Sequence, residues 1–434
     1  MPASNPRTAS EPITSRARGN ERAAASVAFT RYQRFVVALL AFLQFTVVLD
    51  FMILSPLSAI VMPALHVTPR DFGLVVSAYA WSAGAAGIVA AGFADRYDRK
   101  RMLLIFYAGF LIGTVFCGLA STYGFLLCAR IVTGLFGGVI GAINAAIVAD
   151  LFPLQVRGRV MGSIQSAFAA AQIMGVPIAL FLANQIGWHG PFFLVAAVGM
   201  VVGIIAVICL RPLTGHLHAA RPPDPIRHLL NTASNRRYLV GFSATILVAT
   251  GGFMLQPFAS AFLVRNVEIP VVRLPLLYMV SGTVAMMAGP LLGRLSDSFG
   301  KYRIFCFASL AGICAVLWIT SLGPSSLAVV MLAQGLLSIA IAGRMVTTMA
   351  MISAVPALPD RGAYMAVSSS MQQFAGGVSA WIAGLVVYEG PGGRIENYHI
   401  LGSIVVVAMV ITVAQMLRVH RLVDRMPPYT PPVE

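Results

Sequence analysis

Ala91-Gly-Phe-Ala-Asp-Arg-Tyr-Asp-Arg-Lys-Arg101 is the most charged short stretch lying between two long apolar runs of this chain. A second version of it is Gly293-Arg-Leu-Ser-Asp-Ser-Phe-Gly-Lys-Tyr-Arg303. Aligning Asp95 with Asp297 also aligns Arg99 with Lys301, and Lys100 and Lys301 are the only lysines in the chain. Each copy follows the second apolar run of its half and precedes the third. A further pair, Arg157-Gly158-Arg-Val-Met161 and Arg361-Gly362-Ala-Tyr-Met365, is offset by 204 residues, against 202 for the two aspartates. Two landmarks with nearly one period mark an internal duplication, each half being one repeat.

Composition says where such a chain lives. Of 434 residues, 58% are hydrophobic and only 10% charged, whereas soluble domains carry about 25% charged residues. A bilayer core about 30 Å thick takes roughly 20 apolar residues per helix. Twelve such runs fill most of the chain, near 35–61, 72–94, 102–120, 123–149, 160–185, 192–210, 238–264, 274–293, 304–323, 326–355, 363–388 and 398–418. The expected fold is therefore an all-α integral membrane protein, with twelve transmembrane helices in two pseudo-symmetric six-helix bundles, 35–211 and 238–418. Residues 1–34 and 419–434 are expected to be cytoplasmic tails, the first without regular structure, and 212–237 a cytoplasmic linker. No cleavable apolar h-region precedes the first run, so residues 1–34 read as a tail rather than a secretory signal, although a transit peptide would share their Arg/Ser bias.

A formal net charge of +15 could point to nucleic acid, but the distribution points to a bilayer. Of the 30 Lys and Arg residues, 24 fall in the tails and loops of one side, four (Arg70, Arg265, Arg273, Arg394) on the other, and two (Arg130, Arg344) inside the runs. That is the positive-inside pattern. It places both termini, both charged loops and the linker in the cytoplasm, makes lipid the partner and excludes nucleic acid. The five cysteines, Cys117, Cys128, Cys209, Cys306 and Cys314, all lie in apolar runs without metal-ligand or disulfide spacing, and read as small buried residues. The seven histidines avoid the span interiors, which removes a histidine proton relay. No nucleophile–base pair, metal cluster or nucleotide-binding glycine loop is present, so no enzyme, metal or cofactor is expected.

The first charged loop resembles the signature of the major facilitator superfamily between its second and third helices, Gly-x-Leu-Ala-Asp-Arg-x-Gly-Arg-Arg/Lys. Asp95, Arg96, Arg99 and Lys100 fall on its charged positions; Ala91 and Asp98 replace its glycines. The second copy has both glycines, Gly293 and Gly300, with Asp297 and Lys301, but Ser298 in place of the arginine. In the fourth run, Arg130-x-x-x-Gly134-x-x-Gly137-Gly138 resembles the family's fourth-helix arginine motif. In the fifth, Gly175-Val-Pro177 resembles its antiporter motif with Val176 inserted; a simple kink, where neighbours satisfy the freed carbonyl, is the plainer reading.

Asp50 is the one acidic residue placed deep in a span, and a central aspartate costs about 2.5–3.5 kcal/mol on insertion scales. Burial opposes ionisation of a carboxyl and a nearby guanidinium supports it; the balance decides between a proton carrier and a fixed counter-ion. At 1.5 Å per residue, Asp50, Arg130 and Arg344 fall within about 10 Å of one height. The resemblance implies that the first, fourth, seventh and tenth helices line a central cavity that these three charges share. Their bland readings are a locking ion pair for Asp50 and packing beside the Gly134, Gly137 and Gly141 seam for Arg130. Asn144, Gln165, Gln172, Gln256, Gln372 and Gln373 are cavity candidates, or else interhelical hydrogen bonds worth about 0.6 kcal/mol each. The seventh run is interrupted by Gly251, Gly252 and Pro257 around Gln256, and discontinuous helices mark transporter sites. The resemblance further implies a cytoplasmic gate, in which Asp95 faces the amino end of the eleventh helix and Arg99 pairs with Asp150, holding an outward-facing state closed.

The leading reading is a secondary active transporter, resembling the twelve-helix drug–proton antiporter branch over nearly all of 35–418. It exports a small solute by alternating access with Asp50 as proton acceptor and Arg130 modulating it. It is expected to act as a monomer in the inner membrane of a bacterium, the Arg-, Ala- and Gly-rich usage matching a GC-rich genome. The alternative is a proton-coupled importer of a sugar, organic acid or amino acid, since two cavity arginines suit a carboxylate. A more remote one is a non-transporting sensor or assembly factor, which usually needs an output domain that the chain does not show.

Overall fold

The computed structural model describes residues 29–93, 97–214, 225–357 and 360–424. Asp95 and Arg96 of the first loop, and most of the two expected tails, lie outside the described residues.

Twelve helical spans run back and forth. In order they are Arg31–Ile53 with Ser58–Ala64; Pro69–Phe93; Arg99–Leu119; Tyr123–Leu151; Leu154–Ala170 continued by Val176–Ile186; Gly190–Cys209; Arg236–Phe253 with Ala259–Arg265; Leu274–Phe299; Lys301–Thr320; Leu327–Ile352; Arg361–Val386; and Tyr398–Asp424. Among the described residues, eleven spans are long and apolar enough to cross a membrane. The eleventh in order is as long, but dilutes its apolar residues with Ser368, Ser369, Ser370, Gln372, Gln373 and Ser379.

Local chemistry sets the ends. Thr30 and Gln33 close a capping box at the first span, and Thr122 and Asn235 cap the fourth and seventh. These side chains satisfy amide donors that no helical turn precedes. The two charged loops solve one turn differently. Gly300 ends the eighth span at φ +96°, a conformation that favours glycine. Its counterpart Asp98 keeps an ordinary φ of −56° and instead caps the third span, accepting from Lys100 N at 3.0 Å and Leu213 N at 2.9 Å.

Three spans depart from straight helices, each near a proline that lacks the amide donor. The first pauses at Leu54–Leu57 around Pro56 and the seventh at 254–258 around Pro257. These are equivalent places in the two repeats, of which only the seventh shows in the sequence as a break. The fifth loosens into a π-helical turn, Ala171–Gly175, just before Pro177. Within the linker, Pro225–Ser234 is helical, and the twelfth span's helix continues to Asp424.

Twelve antiparallel spans leave Arg31, where the first begins, and Asp424, where the last ends, on one face, here the terminal face; the opposite one is the far face. The most extensive helix packing joins the halves, between the second and eleventh spans. A Cβ on Gly73 would lie 2.8 Å from the Ala380 carbonyl oxygen, and one on Gly384 2.8 Å from that of Pro69. Bare glycines let the two backbones meet. Ser77 Oγ donates into the same seam, 2.7 Å from the Gly377 oxygen and 2.7 Å from that of Gly73. The fifth and eighth spans meet at the π-helical turn, where a Cβ on Gly282 would lie 3.1 Å from the Gln172 carbonyl oxygen. Beyond the two pauses, Ala261 N donates to Ser58 Oγ at 3.3 Å.

Three apolar cores follow. One straddles both halves towards the far face, with Leu49, Met52 and Phe72 from the first half and Phe258, Leu263 and Leu401 from the second. The other two lie towards the terminal face, and each belongs to one half. The halves are thus fused at the far face, and each has its own core at the terminal one. The cysteines differ from expectation: only Cys117 is buried, while Cys128, Cys209 and Cys314 are exposed and Cys306 is intermediate. Their helices turn these small apolar side chains outward, where lipid accepts them as readily as a core does.

Candidate functional site

Asp50 sits three residues from the end of the first long helix, inside the far-face core. Its carboxylate is fully buried at 0% exposure, as is Arg130 at 1%. The Arg130 Nη1 donates to Asp50 Oδ2 at 2.8 Å, and also lies 3.3 Å from the Asp50 backbone oxygen. On the other side Thr114 Oγ1, from the third span, stands 3.1 Å from Asp50 Oδ1 and 3.0 Å from the Phe110 carbonyl oxygen. The guanidinium lies over the Tyr79 ring at 4.4 Å, which adds a cation–π attraction. Four spans of one half therefore build one sealed ion pair.

The fourth span brings Arg130 there because its glycines let it come close. A Cβ on Gly137 would meet the Tyr79 hydroxyl at 2.8 Å, and Gly134 and Gly138 press on the backbone of Tyr79 and Ala83. These approaches hold the fourth span against the second, on which Tyr79 lies. One loose end remains: Arg130 Nε is buried without a hydrogen-bond partner. Phe51, next to Asp50, touches Tyr79 at 5.3 Å and Phe253 of the opposite half at 5.9 Å between ring centroids. The ion pair is thus one residue from the inter-half contact.

Arg344 does not join this pair. It is 4% exposed and lies in the other half, donating from Nη1 to Ser309 Oγ at 2.7 Å with its guanidinium 5.0 Å from the Phe305 ring centre. The structure brings two of the three deep charges together, and the third faces the ninth span. Helix rise fixes height but not direction, and direction separates Arg344 from the pair.

Of the amide candidates, Asn144 is buried and its Nδ2 donates to Gln44 Oε1 of the first span at 3.1 Å, leaving Oδ1 without a partner. Gln44 carries no motif, and its only signal in the sequence is its place six residues, under two turns, before Asp50. Thr114 and Tyr79 were likewise missed as ligands of the pair, since a threonine or tyrosine in a span carries no signature. Gln165 is exposed, and Gln172, Gln256, Gln372 and Gln373 are half-buried; Gln165 and Gln172 lie in the fifth span, Gln256 in the seventh, and Gln372 and Gln373 in the eleventh.

Of the residues expected to form a gate, Arg99 is buried and its Nε lies 3.3 Å from Asp150 Oδ2. Lys100 Nζ donates to the Val207 carbonyl oxygen at 2.8 Å. Both contacts stay inside the first half, so they brace its own terminal face. Asp297, Gly300 and Lys301 are exposed and Gly293 is intermediate.

A family model described as the Major Facilitator Superfamily matches residues 40–380 and 241–432. An uncharacterised MFS-type transporter, YceJ of Bacillus subtilis, is 29% identical over 265 residues, covering 60% of this chain and 66% of that protein. A probable sugar efflux transporter of Helicobacter pylori is 24% identical over 292 residues, 66% of this chain and 71% of that protein. Multidrug resistance protein 3 of Bacillus subtilis is 30% identical over 128 residues, only 30% of this chain and 25% of that protein. Among solved structures, a bacterial homologue of the human lysosomal transporter Spinster, inward-facing and occupied, superposes with a TM-score of 0.74 at 17% identity over 93% of this chain and 100% of that one. The nucleoside transporter NupG gives 0.72 at 14% identity over 89% of this chain and 99% of that one.

Proposed function

Because the chain belongs to the Major Facilitator Superfamily, we propose that it is a proton-coupled exporter of a small organic solute, working by alternating access in the inner membrane of a bacterium as a monomer. On this reading the terminal face is cytoplasmic, the bundles 35–211 and 238–418 rock about the seam between them, and 212–237 links them. The observation that carries it is the sealed Asp50–Arg130 pair. Among the described residues, Asp50 is the acidic side chain buried deepest within a span.

Its surroundings suit a group that gains and loses a proton. When the carboxyl takes a proton, its attraction for the guanidinium falls, and each donor already has another acceptor in reach. Thr114 can turn to the Phe110 oxygen at 3.0 Å, and Arg130 to the Asp50 backbone oxygen at 3.3 Å. Protonation therefore leaves Thr114 and Arg130 Nη1 with acceptors, the new carboxyl O–H can donate to Thr114 Oγ1 at 3.1 Å, and its cost is a guanidinium left without its counter-ion. The halves are joined at the far face in this conformation, with the pair intact. That is the state expected after the proton has left on the cytoplasmic side and before solute is carried out. Opening the far face would pull on Phe51, expose Asp50 and let it take the next proton. The names of relatives, sugar efflux and multidrug resistance among them, support export.

The test separates coupling from translocation. Asp50→Asn, which keeps the shape and loses the titratable group, should abolish uphill transport in reconstituted vesicles while solute exchange continues. Uphill transport at the wild-type rate by this variant sinks the proposal.

A further inference from the structure

The two deep arginines differ in one respect. Arg130 has Asp50, whereas among the described residues no carboxylate stands within ion-pair reach of Arg344. Arg344 is nonetheless 4% exposed. A guanidinium taken out of water without an anion is strongly disfavoured. The Ser309 hydroxyl at 2.7 Å serves one of its five N–H donors, and the Phe305 face at 5.0 Å offsets a little more. The remaining donors of the fork are not sealed: among the described residues, Arg130 Nε is the one arginine nitrogen buried without a partner.

The next turn of the same helix repeats the deficit. Thr348 follows Arg344 by four residues, hence on the same side of the tenth span, and its hydroxyl is buried without a partner. Thr347 beside it is satisfied, donating to the Gly343 oxygen at 2.7 Å. The duplication supplies an independent observation. Asn144 lies 21 residues after Tyr123, where the fourth span begins, and Thr348 lies 21 residues after Leu327, where the tenth begins. Of the four buried side-chain atoms that lack a partner among the described residues, Asn144 Oδ1 and Thr348 Oγ1 thus occupy one position of the two repeats. Both lie nearer the terminal than the far end of their helices, in the part of the molecule where each half has its own core.

We infer that the missing partner is a carboxylate group of the transported solute, held by Arg344 and Thr348 of the second half. Guanidinium and carboxylate match as a planar fork against two oxygens. Asp50 already neutralises Arg130, which leaves one net positive charge for the solute to meet. The inference rests on the transport reading above, and goes beyond it by fixing the charge of the solute. An inside-negative membrane potential would then favour its exit.

Binding in detergent, where no gradient exists, tests this apart from coupling. Thermal unfolding of the purified full-length protein is followed with a panel of aromatic and aliphatic monocarboxylates, each paired with its methyl ester, and with sodium chloride. The expected result is that at least one carboxylate stabilises wild type while its ester does not. Arg344→Gln should lose this response, and Arg344→Lys and Thr348→Val should need roughly tenfold more ligand or greater. The milder two variants keep the test decisive should Arg344→Gln fail to fold. Equal stabilisation by acid and ester, a response unchanged in the Lys and Val variants, an effect reproduced by chloride alone, or no response of wild type to any carboxylate overturns the inference. Carboxylate binding without proton release in vesicles would leave it standing and refute coupling instead.

Discussion

Removing one member of the Asp50–Arg130 pair should cost far more than removing both. The two side chains are 0% and 1% exposed and joined at 2.8 Å, so water cannot replace a lost partner. In Asp50→Asn, Arg130 keeps the Asp50 backbone oxygen at 3.3 Å and the Tyr79 face, but no counter-ion. In Arg130→Met, the carboxylate keeps only the Thr114 hydroxyl. Breaking a buried pair from one side costs about 3–5 kcal/mol, with Asn towards the lower end because it retains shape and a hydrogen bond. The double variant leaves no buried charge and should recover most of the loss, since apolar replacement of a buried pair is often nearly neutral. The coupling read from the double-mutant cycle should therefore be at least about 2 kcal/mol, within the range for residues in direct contact. Equilibrium unfolding in mixed micelles, run on all four proteins, gives it. Additivity to within about 0.5 kcal/mol would refute the claim that the two charges form one unit.

The glycine seam between the second and eleventh spans makes a conformational prediction. Gly73→Val must push against the Ala380 oxygen at 2.8 Å and the Gly384 Cα at 3.1 Å, an overpacking cost of about 1–3 kcal/mol borne by the far-closed state. That shifts the balance towards far-open by roughly 5- to 150-fold, read as faster labelling of a far-face cysteine reporter by an impermeant thiol reagent; unchanged labelling would contradict it. The two charged loops make another. Gly300→Ala forces a side chain onto φ +96° and should cost about 1–2 kcal/mol, and Asp98→Ala, which deletes a cap, about 0.5–2 kcal/mol. A neutral Gly300→Ala in thermal unfolding would show that this turn is not held as described.

Much of this molecule is written in one dimension. Apolar run lengths give the spans, because the bilayer imposes a length, and the repeated Asp95/Asp297 and Arg157/Arg361 landmarks give the two halves. The pairing of Arg99 with Asp150 came from resemblance, and those two side chains meet. Direction around a helix is what the sequence left out. Arg344 and Arg130 look alike as lone cations in apolar runs, yet one meets Asp50 and the other Ser309, because which face points where depends on tilt and packing against glycines such as Gly134 and Gly137. Hydroxyl partners were invisible for a related reason: Thr114 and Thr347 are both buried threonines in spans, and only position tells the ligand of Asp50 from the residue that bonds its own backbone. The pause at Pro56 escaped notice because the run around it stays apolar, whereas Gly251 and Gly252 drew attention to its counterpart at Pro257.

Whether Asp50 carries the proton can be read from proton movement in everted membrane vesicles. Vesicles carrying wild type or Asp50→Asn are energised and then challenged with cationic, neutral and anionic compounds while a fluorescent dye reports internal acidity. An anionic compound should trigger proton release from wild-type vesicles and none from Asp50→Asn vesicles holding the same amount of folded protein. Equal release from both would contradict it, because the proton would then be carried elsewhere than on Asp50.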